Sequence, residues 1–466
     1  MVNCGAEAAR YGAGFQRFQP ASPDTLGSIQ IPFLSPLMKT LAASKLILWL
    51  SAMAGAGALA TDLPSPAEFQ ANWPRFRGPD GGGISPHANA PLTCDVKTGA
   101  NIAWTVAVPA PGYSSPVVWG DRVFLTGGDD SKREVMCFDV KSGKLLWESA
   151  VPKTAGSPET PPEVPEQCGM AAATPATDGR RVYAMFANGD LAAFDFDGKL
   201  AWSKFLGVPK NPYGHAASLL TLQDRVIVQF DQGDADDKLS KLYAFDGATG
   251  AIVWQQPRPV GASWATPITF DAAGKSQILT LAVPFAIAYS AKDGAEIWRA
   301  DCLDGEVTPS PIFAGGALFV VSPSNKLQAI RPDGEGDVTS THIGWGAEDN
   351  IPDVTSPVSN GELVFVIDSG GILTCYDAKD GKKQWDHDFK EECHASPSIA
   401  GNHLYLITQK GALIVVEAGR QYQELGRSAL GEQVFASPAF AQNRIFIRGL
   451  KHLICLESKD AASIKP

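Results

Sequence analysis

The residues best placed to do chemistry lie in eight short links, each of which precedes a two-residue Ser or Thr dyad. The links carry aromatic rings, imidazoles and carboxylates: Tyr113, His215, Trp264, Glu306, Asp353, Glu392, His394 and Phe435. Aromatic rings can stack against a planar or sugar ligand, and a carboxylate can accept a proton. The types vary from link to link while the surrounding pattern repeats, which indicates a functional face on a constant scaffold. A surface rim without a ligand is the competing interpretation.

A repeated unit positions these links. Its dyads are Ser115-Pro116, Thr174-Pro175, Ser218-Leu219, Thr266-Pro267, Ser310-Pro311, Ser356-Pro357, Ser396-Pro397 and Ser437-Pro438. Each dyad begins a series of short runs rich in Val, Ile, Phe and Tyr, separated by Gly, Asp and Asn, which is typical of strands joined by tight turns. A closing Gly-x-x-x-Trp recurs at Gly143/Trp147, Gly198/Trp202, Gly250/Trp254, Gly294/Trp298 and Gly381/Trp385, whereas the fifth and seventh units lack it. The repeat predicts an all-β, eight-bladed β-propeller with four-stranded antiparallel blades.

The first run, residues 101–108 (NIAWTVAV), predicts how the ring closes. The eighth unit has three strand-like runs, but the chain contains no fourth run after them. The first run carries Trp104 where a fourth strand would carry its Trp. We therefore expect residues 101–108 to complete the last blade, which would remove two open sheet edges.

The runs Val135 to Trp147 (VMCFDVKSGKLLW) and Leu242 to Trp254 (LYAFDGATGAIVW) resemble the PQQ-type propeller repeat. Quinoprotein dehydrogenases and BamB-like outer-membrane assembly proteins share this repeat, and the resemblance covers residues 101–458. The dehydrogenases typically add an adjacent Cys-Cys pair, a calcium ion and an Asp base. For that class the resemblance implies Asp353 or Glu306 as the base and Trp264 as the residue stacked on the quinone. This chain lacks a Cys-Cys pair and long insertions between repeats.

The sequence thus favours a non-catalytic binding or assembly scaffold that contacts a protein or peptide through its link residues and requires no cofactor. The alternative is a PQQ- and calcium-dependent dehydrogenase of alcohols or sugars, and a second alternative is a carbohydrate-binding propeller. The formal net charge of -11 argues against a nucleic-acid partner. We expect a monomeric propeller without a membrane span.

The N-terminal 60 residues predict export. Lys39 and Lys45 precede an apolar run that ends in Ala58-Leu59-Ala60, a pattern typical of a signal peptide over residues 38–60 with cleavage after Ala60. An uncleaved anchor is the competing interpretation. Residues 1–37 show no repeat, so we interpret them as an extension upstream of a true start at Met38. No Cys follows the apolar run to accept a lipid. A secreted or periplasmic protein is expected.

Residues 61–100 are rich in Pro and Gly and predict an irregular segment, and residues 459–466 predict a tail. The segment contains Trp73-Pro-Arg-Phe-Arg-Gly-Pro79, which is similar to a stretch that often precedes PQQ-type propellers. Trp73 and Phe76 are expected to fill an apolar spot on the propeller rim. Arg75 and Arg77 are expected to stay solvated.

Cysteines and acids suggest few covalent or metal sites. Cys137, Cys375 and Cys455 align with small residues of the third strands, which predicts buried core positions. A disulfide among four others is left open: Cys94, Cys168, Cys302 and Cys393. Residues 231–237 (DQGDADD) predict a solvated acidic hairpin, with a calcium loop as the alternative. No metal site is predicted elsewhere.

Overall fold

A computed structural model describes residues 63–166 and 168–458, which form eight four-stranded antiparallel sheets, here called blades 1 to 8. Blade 1 contains Val117–Trp119, Arg122–Gly128, Arg133–Asp139 and Leu145–Ala150. Blade 2 contains Ala176–Thr177, Arg181–Met185, Asp190–Asp195 and Leu200–Phe205. Blade 3 contains Leu220–Leu222, Arg225–Phe230, Lys241–Asp246 and Ile252–Pro257. Blade 4 contains Ile268–Ala272, Lys275–Ala282, Phe285–Ser290 and Glu296–Asp301.

The remaining blades follow the same order, with the first strand innermost. Blade 5 contains Ile312–Ala314, Ala317–Ser322, Lys326–Ile330 and Ile343–Ala347. Blade 6 contains Val358–Ser359, Leu363–Ile367, Ile372–Asp377 and Lys383–Asp388. Blade 7 contains Ser398–Ala400, His403–Ile407, Ala412–Glu417 and Glu424–Ala429. Blade 8 contains Ala439–Ala441, Arg444–Arg448, His452–Glu457 and Ile102–Ala107. The predicted eight-bladed propeller is confirmed.

Ring closure follows the sequence-based prediction. Ile102–Ala107 pairs antiparallel with His452–Glu457, and Trp104 lies opposite Cys455. Strands from the beginning and the end of the propeller sequence therefore share one sheet. The strand Ile102–Ala107 covers the edge of His452–Glu457 that would otherwise be unpaired.

Two short strands extend the regular blades. Ile84–Ser85 pairs in parallel with the first strand of blade 7, and Gly336–Asp337 pairs in parallel with the outer strand of blade 4. The described helices are short: Pro66–Gln70, the 3-10 turn Ala235–Asp237, and Thr339–His342. None of the helices in the described residues is long and apolar enough to cross a membrane.

The Ser and Thr residues of the dyads link each blade to the next. Within the described ring, seven dyad N–H groups donate to the hydroxyl of the following dyad at 2.9–3.0 Å, beginning with Ser115 to Thr174 and ending with Ser396 to Ser437. The first strands are short and lie closest to the axis, so their backbone groups need such partners. The repeated hydroxyl is thus a structural requirement of the ring.

The Gly-x-x-x-Trp repeat also joins neighbouring blades. Trp104 of blade 8 covers Gly143 of blade 1, where an added Cβ would lie 2.6 Å from the indole ring. Gly143 also has a φ of +70°, which favours glycine. Other Trp/Gly pairs repeat this packing: Trp147/Gly198, Trp202/Gly250, Trp254/Gly294 and Trp345/Gly381. The fifth unit therefore keeps its Trp as Trp345, and an insertion over residues 331–342 has displaced only the Gly spacing.

The blade cores contain the predicted third-strand cysteines. Cys137, Cys375 and Cys455 are each 0% exposed, as the alignment of third strands predicted. Burial raises the pKa of all three thiols to about 12, which makes them unreactive at neutral pH.

The segment from Trp73 to Pro79 crosses one end of the central channel, and the predicted position on the rim is wrong. Trp73 pairs with Val118 on the first strand of blade 1 and lies 5.5 Å from the Phe440 ring of blade 8. The carbonyl of Pro74 accepts a bond of 2.8 Å from Thr177 of blade 2. Because these contacts reach first strands of three blades, the segment acts as a plug at the axis.

The prediction that Arg75 and Arg77 stay solvated is also wrong, since they are 0% and 1% exposed. Arg75 donates to the carbonyls of Pro79 and Pro267, at 3.0 and 3.3 Å. Arg77 donates to the carbonyls of Gly82, Pro357 and Pro397, at 2.6–3.2 Å. Three of these carbonyls belong to dyads, which converge on the axis, and they accept from Nη1 of Arg75 and Nη2 of Arg77. Burial lowers the pKa of Arg75 to about 10 and that of Arg77 to about 9.

Residues 1–37, the predicted signal peptide at 38–60 and the predicted tail at 459–466 lie outside the described residues. Export and cleavage after Ala60 therefore stay predictions.

Candidate functional site

The eight links lie on one face of the ring, which we call the mouth. Each link precedes a dyad at the start of an innermost strand, and the turn at the other end of that strand lies on the opposite face. The mouth is defined by the links that contain Tyr113, Ala172, His215, Trp264, Glu306, Asp353, His394 and Phe435. The structure brings most of these residues into two aromatic groups.

The first group, the Trp264 cluster, joins the links into blades 3, 4 and 5. The Trp264 ring lies 5.1 Å from the Tyr213 ring in a T-shaped arrangement, and its indole N–H donates to Asn211 at 3.1 Å. The hydroxyl of Tyr213 donates to Glu306 at 3.4 Å. Burial raises the pKa of Glu306, although the bond from Tyr213 opposes this rise. Sequence analysis selected Trp264 and Glu306 but missed Tyr213 and Asn211, which share the link that contains His215.

The second group, the Phe435 cluster, joins the links into blades 1, 7 and 8. The Phe435 ring lies 5.6 Å from Tyr113 and 5.7 Å from His394. The hydroxyl of Tyr113 donates to the carbonyl of Glu166. His394 is 5% exposed, and burial lowers its pKa, while the carboxylates of Asp353 and Glu392 oppose that effect. An aromatic wall with an imidazole and two nearby acids therefore forms one side of the mouth.

Asp353 is held at the mouth by a hydrogen bond from a neighbouring turn. Its Oδ2 accepts a hydrogen bond of 3.0 Å from Ser369, whereas its Oδ1 is buried with no hydrogen-bond partner among the described residues. Glu392 is exposed. The other acid selected from the sequence, Glu306, belongs to the Trp264 cluster, so the two acids proposed as alternative bases lie in different parts of the mouth.

His215 is a structural residue of the mouth. Its ring is 4% exposed and stacks on Phe230 at 5.6 Å between centroids. Burial lowers the pKa of His215 to about 4, and a backbone bond with Ala217 opposes this shift only weakly. The imidazole is therefore neutral at pH 7 and packs as an aromatic ring.

The stability of the protein should fall as His215 becomes protonated in the unfolded chain. An unfolded histidine titrates near pH 6.5 and the folded one at about 4, so the unfolded state binds more protons between these values. We expect this residue to remove about 3 kcal/mol of unfolding free energy as the pH falls from 6.5 to 4. Urea titrations of the wild type and His215→Gln across this range measure the difference. Parallel pH curves for the two proteins would contradict the assignment.

A buried cation below the mouth was missed from the sequence. Arg448 is 2% exposed and donates to the Ser114 hydroxyl and to the carbonyls of Thr126 and Ala110, at 2.6–3.2 Å. Burial lowers its pKa to about 9, and nearby Tyr113 partly opposes the effect. Its position could have identified it from the sequence. Arg448 is the last residue of the second strand of blade 8, whereas the second strands of the other blades end in apolar or small residues or in serine. Arg448 fixes the link that carries Tyr113.

Trp264, which the dehydrogenase resemblance placed against a quinone, is covered in this structure. Trp264 is 5% exposed and is packed against Ala172, Ala216 and Tyr213, so its ring offers no open face to a planar cofactor. Within residues 63–166 and 168–458, no group of three or more His, Cys, Asp or Glu side chains has an arrangement suited to a metal ion. Trp264 therefore packs as part of the mouth framework.

The acidic segment at residues 231–237 is exposed from Asp234 to Asp237, as predicted, but Asp231 departs from the predicted solvated hairpin. Asp231 is fully buried and receives two hydrogen bonds from Arg258, at 2.7 and 3.1 Å, and one from Gln229. Asp237 accepts from the backbone of Asp234 and pairs with Lys210. Blade 3 therefore gains an internal ion pair, because Arg258 of the following link enters the blade interior.

Of the four cysteines for which the sequence left a disulfide open, Cys168 is disulfide-bonded, and the other three do not pair with one another. Cys94, Cys302 and Cys393 are thiols in the structure. Burial raises the pKa of Cys302 and Cys393 to about 12, so neither is an activated nucleophile.

A groove of about 530 Å³ lies on the face opposite the mouth. The helix Pro66–Gln70 forms one side, and the first strands and turns of blades 2 to 5 form the other. Its apolar lining includes Phe69, Phe270 and Phe313. No sequence pattern indicated this groove, since its walls come from distant parts of the chain.

The family of the outer membrane protein assembly factor BamB matches residues 88–217, 238–339 and 336–449. The BamB of Alkalilimnicola ehrlichii is 26% identical over 221 residues, which are 47% of this chain and 51% of that protein. The BamB of Moranella endobia is 23% identical over 235 residues, covering 49% of this chain and 54% of that protein. The chain thus spans about half the length of these curated relatives.

Solved structures support the fold. The structure of BamB from Moraxella catarrhalis has a TM-score of 0.57 at 15% identity, covering 77% of this chain and 97% of that one. A quinohemoprotein alcohol dehydrogenase from Pseudomonas putida has a TM-score of 0.64 at 14% identity, covering 86% and 83%. Identities this low establish a shared propeller and leave the activity undetermined.

Proposed function

The chain belongs to the family of the outer membrane protein assembly factor BamB, and on that premise we propose that it is a non-catalytic periplasmic scaffold that binds protein partners in outer-membrane protein assembly. The observation that carries the proposal is the contrast between a uniform ring and a varied mouth. Dyad bonds and Trp/Gly packing repeat from blade to blade, while the link residues differ. A rigid disc with a variable face suits the presentation of several contacts to a partner.

The chemistry of the mouth supports binding over turnover. His215 is neutral and buried, Trp264 is covered on its faces, and Asp353 and Glu306 lie in different link groups. Exposed Glu392 and Gln433 lie beside the Phe435 cluster and present polar groups to a partner. Aromatic residues surrounded by polar ones are a frequent composition of protein interfaces.

Photocrosslinking tests the use of the mouth. A photoreactive phenylalanine derivative in place of Glu392 or Gln433 should crosslink a component of the outer-membrane assembly machinery in intact cells. The same group in place of Asp224, an exposed residue in the first turn of blade 3 on the opposite face, is the matched control. We expect at least fivefold more crosslinked product from the mouth positions.

The dehydrogenase alternative is tested on the same protein. PQQ binding with and without calcium, followed by Trp fluorescence and by dye reduction with alcohols and sugars, is expected to give neither saturable binding nor turnover. Calcium-dependent binding in the micromolar range with turnover would overturn the scaffold proposal. Equal crosslinking from both faces would overturn the assignment of the mouth as the partner surface.

A further inference from the structure

The plug, residues 73–79, carries two buried positive charges that no described carboxylate neutralises. Arg75 and Arg77 are 0% and 1% exposed, and within the described chain all their hydrogen bonds go to backbone carbonyls. The acid that acts on Arg75 is Asp80, which is exposed and accepts a bond of 2.8 Å from the Gln70 side chain. Arginine is rarely fully buried unless it is paired with an opposite charge. The plug therefore lacks a counter-charge.

Other buried arginines of the propeller have their needs met. Arg258 donates to both carboxylate oxygens of Asp231, at 2.7 and 3.1 Å. Arg448 binds a hydroxyl and backbone carbonyls, and none of its nitrogens is both buried and unpartnered in the described part of the chain. Arg75 and Arg77 differ from both, so their environment needs a separate explanation.

Several donors of the plug arginines have no acceptor. Nη2 of Arg75, and Nε and Nη1 of Arg77, are buried without a hydrogen-bond partner among residues 63–166 and 168–458. Together these three nitrogens carry five hydrogens. The indole nitrogen of Trp73 is also buried and unpartnered there. Native proteins rarely leave so many buried donors unsatisfied, and such a group indicates a bound water or ion.

The two guanidinium groups share the central channel. Nη1 of Arg75 donates to the carbonyl of Pro267, in the dyad of blade 4. Nη2 of Arg77 donates to the carbonyls of Pro357 and Pro397, in the dyads of blades 6 and 7. These dyads begin the innermost strands, which surround the axis. Two positive charges with unpartnered N–H groups therefore lie within one enclosed ring of strands.

We propose that the channel above the plug binds a small inorganic anion, chloride or an oxyanion such as phosphate, against the unpartnered nitrogens of Arg77 and Arg75. An anion accepts charge-assisted hydrogen bonds from these groups and supplies the missing negative charge. Water would accept some of the bonds but would leave both charges uncompensated. The nitrogens are fully buried, which favours a small ion over the carboxylate of a bound polypeptide. This site is separate from the mouth and does not rest on the proposed function.

Anomalous scattering from bromide, a substitute for chloride, locates the ion. The wild-type protein is refolded from urea in sodium bromide and crystallised. We expect an anomalous difference peak within hydrogen-bonding distance of Nε or Nη1 of Arg77 or of Nη2 of Arg75. Crystals grown in sodium phosphate instead should show tetrahedral density at the same place if the site prefers an oxyanion. Water alone in the channel in both salts would overturn the proposal.

Melting temperatures test whether the ion stabilises the fold. Chloride or phosphate is compared with gluconate, a larger organic anion, at equal ionic strength. Because the ion binds only the folded protein, the preferred anion should raise the melting temperature of the wild type by about 3 °C. Arg77→Gln should abolish this rise, and Arg75→Gln should remove at least half of it. Arg448→Gln is the matched control, since it removes an equally buried charge outside the site, and it should keep the full rise.

The comparison with the control decides between specific and general effects of salt. Equal rises in the wild type, both plug variants and Arg448→Gln would show that the anion acts elsewhere and would overturn the site. If Arg77→Gln does not fold, Arg75→Gln and the bromide peak of the wild type still give a decisive result.

Discussion

Replacing Trp104 by alanine is expected to lower the free energy of unfolding by about 3 to 5 kcal/mol, the usual cost of truncating a buried Trp. The Trp104 ring is 8% exposed, and its N–H donates to the carbonyl of Val140 at 3.0 Å. The ring also lies against Gly143, so it joins blade 8 to blade 1 at the point where the circle closes. Urea titration monitored by the remaining Trp fluorescence measures the change.

The equivalent substitution at Trp254 is the matched control. Trp254 covers Gly294 in the same way, but its ring is more exposed and its N–H has no hydrogen-bond partner among the described residues. Trp254→Ala is therefore expected to lower the free energy of unfolding clearly less than Trp104→Ala does. Deletion of residues 101–108 should lower the free energy of unfolding more than either substitution, because it also removes the outer strand of blade 8. An unchanged melting temperature after that deletion would contradict the importance of ring closure.

Arg77→Ala is the second substitution expected to have a large effect, of about 3 to 5 kcal/mol. Hydrogen bonds from a charged donor contribute about 1.5 to 3 kcal/mol each, and a buried acceptor left without its donor adds a further cost. Arg77 serves the carbonyls of Gly82, Pro357 and Pro397. All three carbonyls accept from Nη2, which carries two hydrogens, and the gain from no longer burying a charge offsets part of the loss, so the expected value lies below the sum of three such bonds.

Arg331→Ala provides the control for Arg77. Arg331 is exposed and donates to the carbonyl of Thr341 at 3.0 Å, so its loss should cost less than about 0.5 kcal/mol. Arg77→Lys should recover only part of the loss, because an ammonium group is a more strongly hydrated point charge than a guanidinium and costs more to bury. Equal unfolding free energies for Arg77→Ala and Arg331→Ala would refute the role of the plug.

The architecture could be predicted because its signals are local and repeated. The strand expected at residues 101–108 is present as Ile102–Ala107. A unit of four short strands cannot bury its own faces, so eight copies require neighbours on both sides. The same reasoning could not interpret the fifth unit, where an insertion of Arg331 to His342 separates Trp345 from the expected spacing.

The mouth could be located but not assembled from the sequence. Counting back from each dyad selected Trp264, His394 and Phe435, yet nothing in the local pattern showed that Tyr213 packs on Trp264 or that Arg448 lies beneath Tyr113. These contacts depend on which links lie side by side around the ring and on the direction in which each side chain leaves its link.

The sequence by itself determined the number of blades, the closure of the ring and the face that carries the variable links, because hydrophobic periodicity and turn residues act over a few neighbouring positions. Only the tertiary structure decided the environment of the charged residues. The carbonyls bound by Arg77 lie 280 and 320 residues further along the chain, at Pro357 and Pro397. Asp231 is buried because Arg258, from the link beyond its own blade, neutralises it. A charged side chain is normally solvated unless partners surround it, and those partners meet only when the ring has closed.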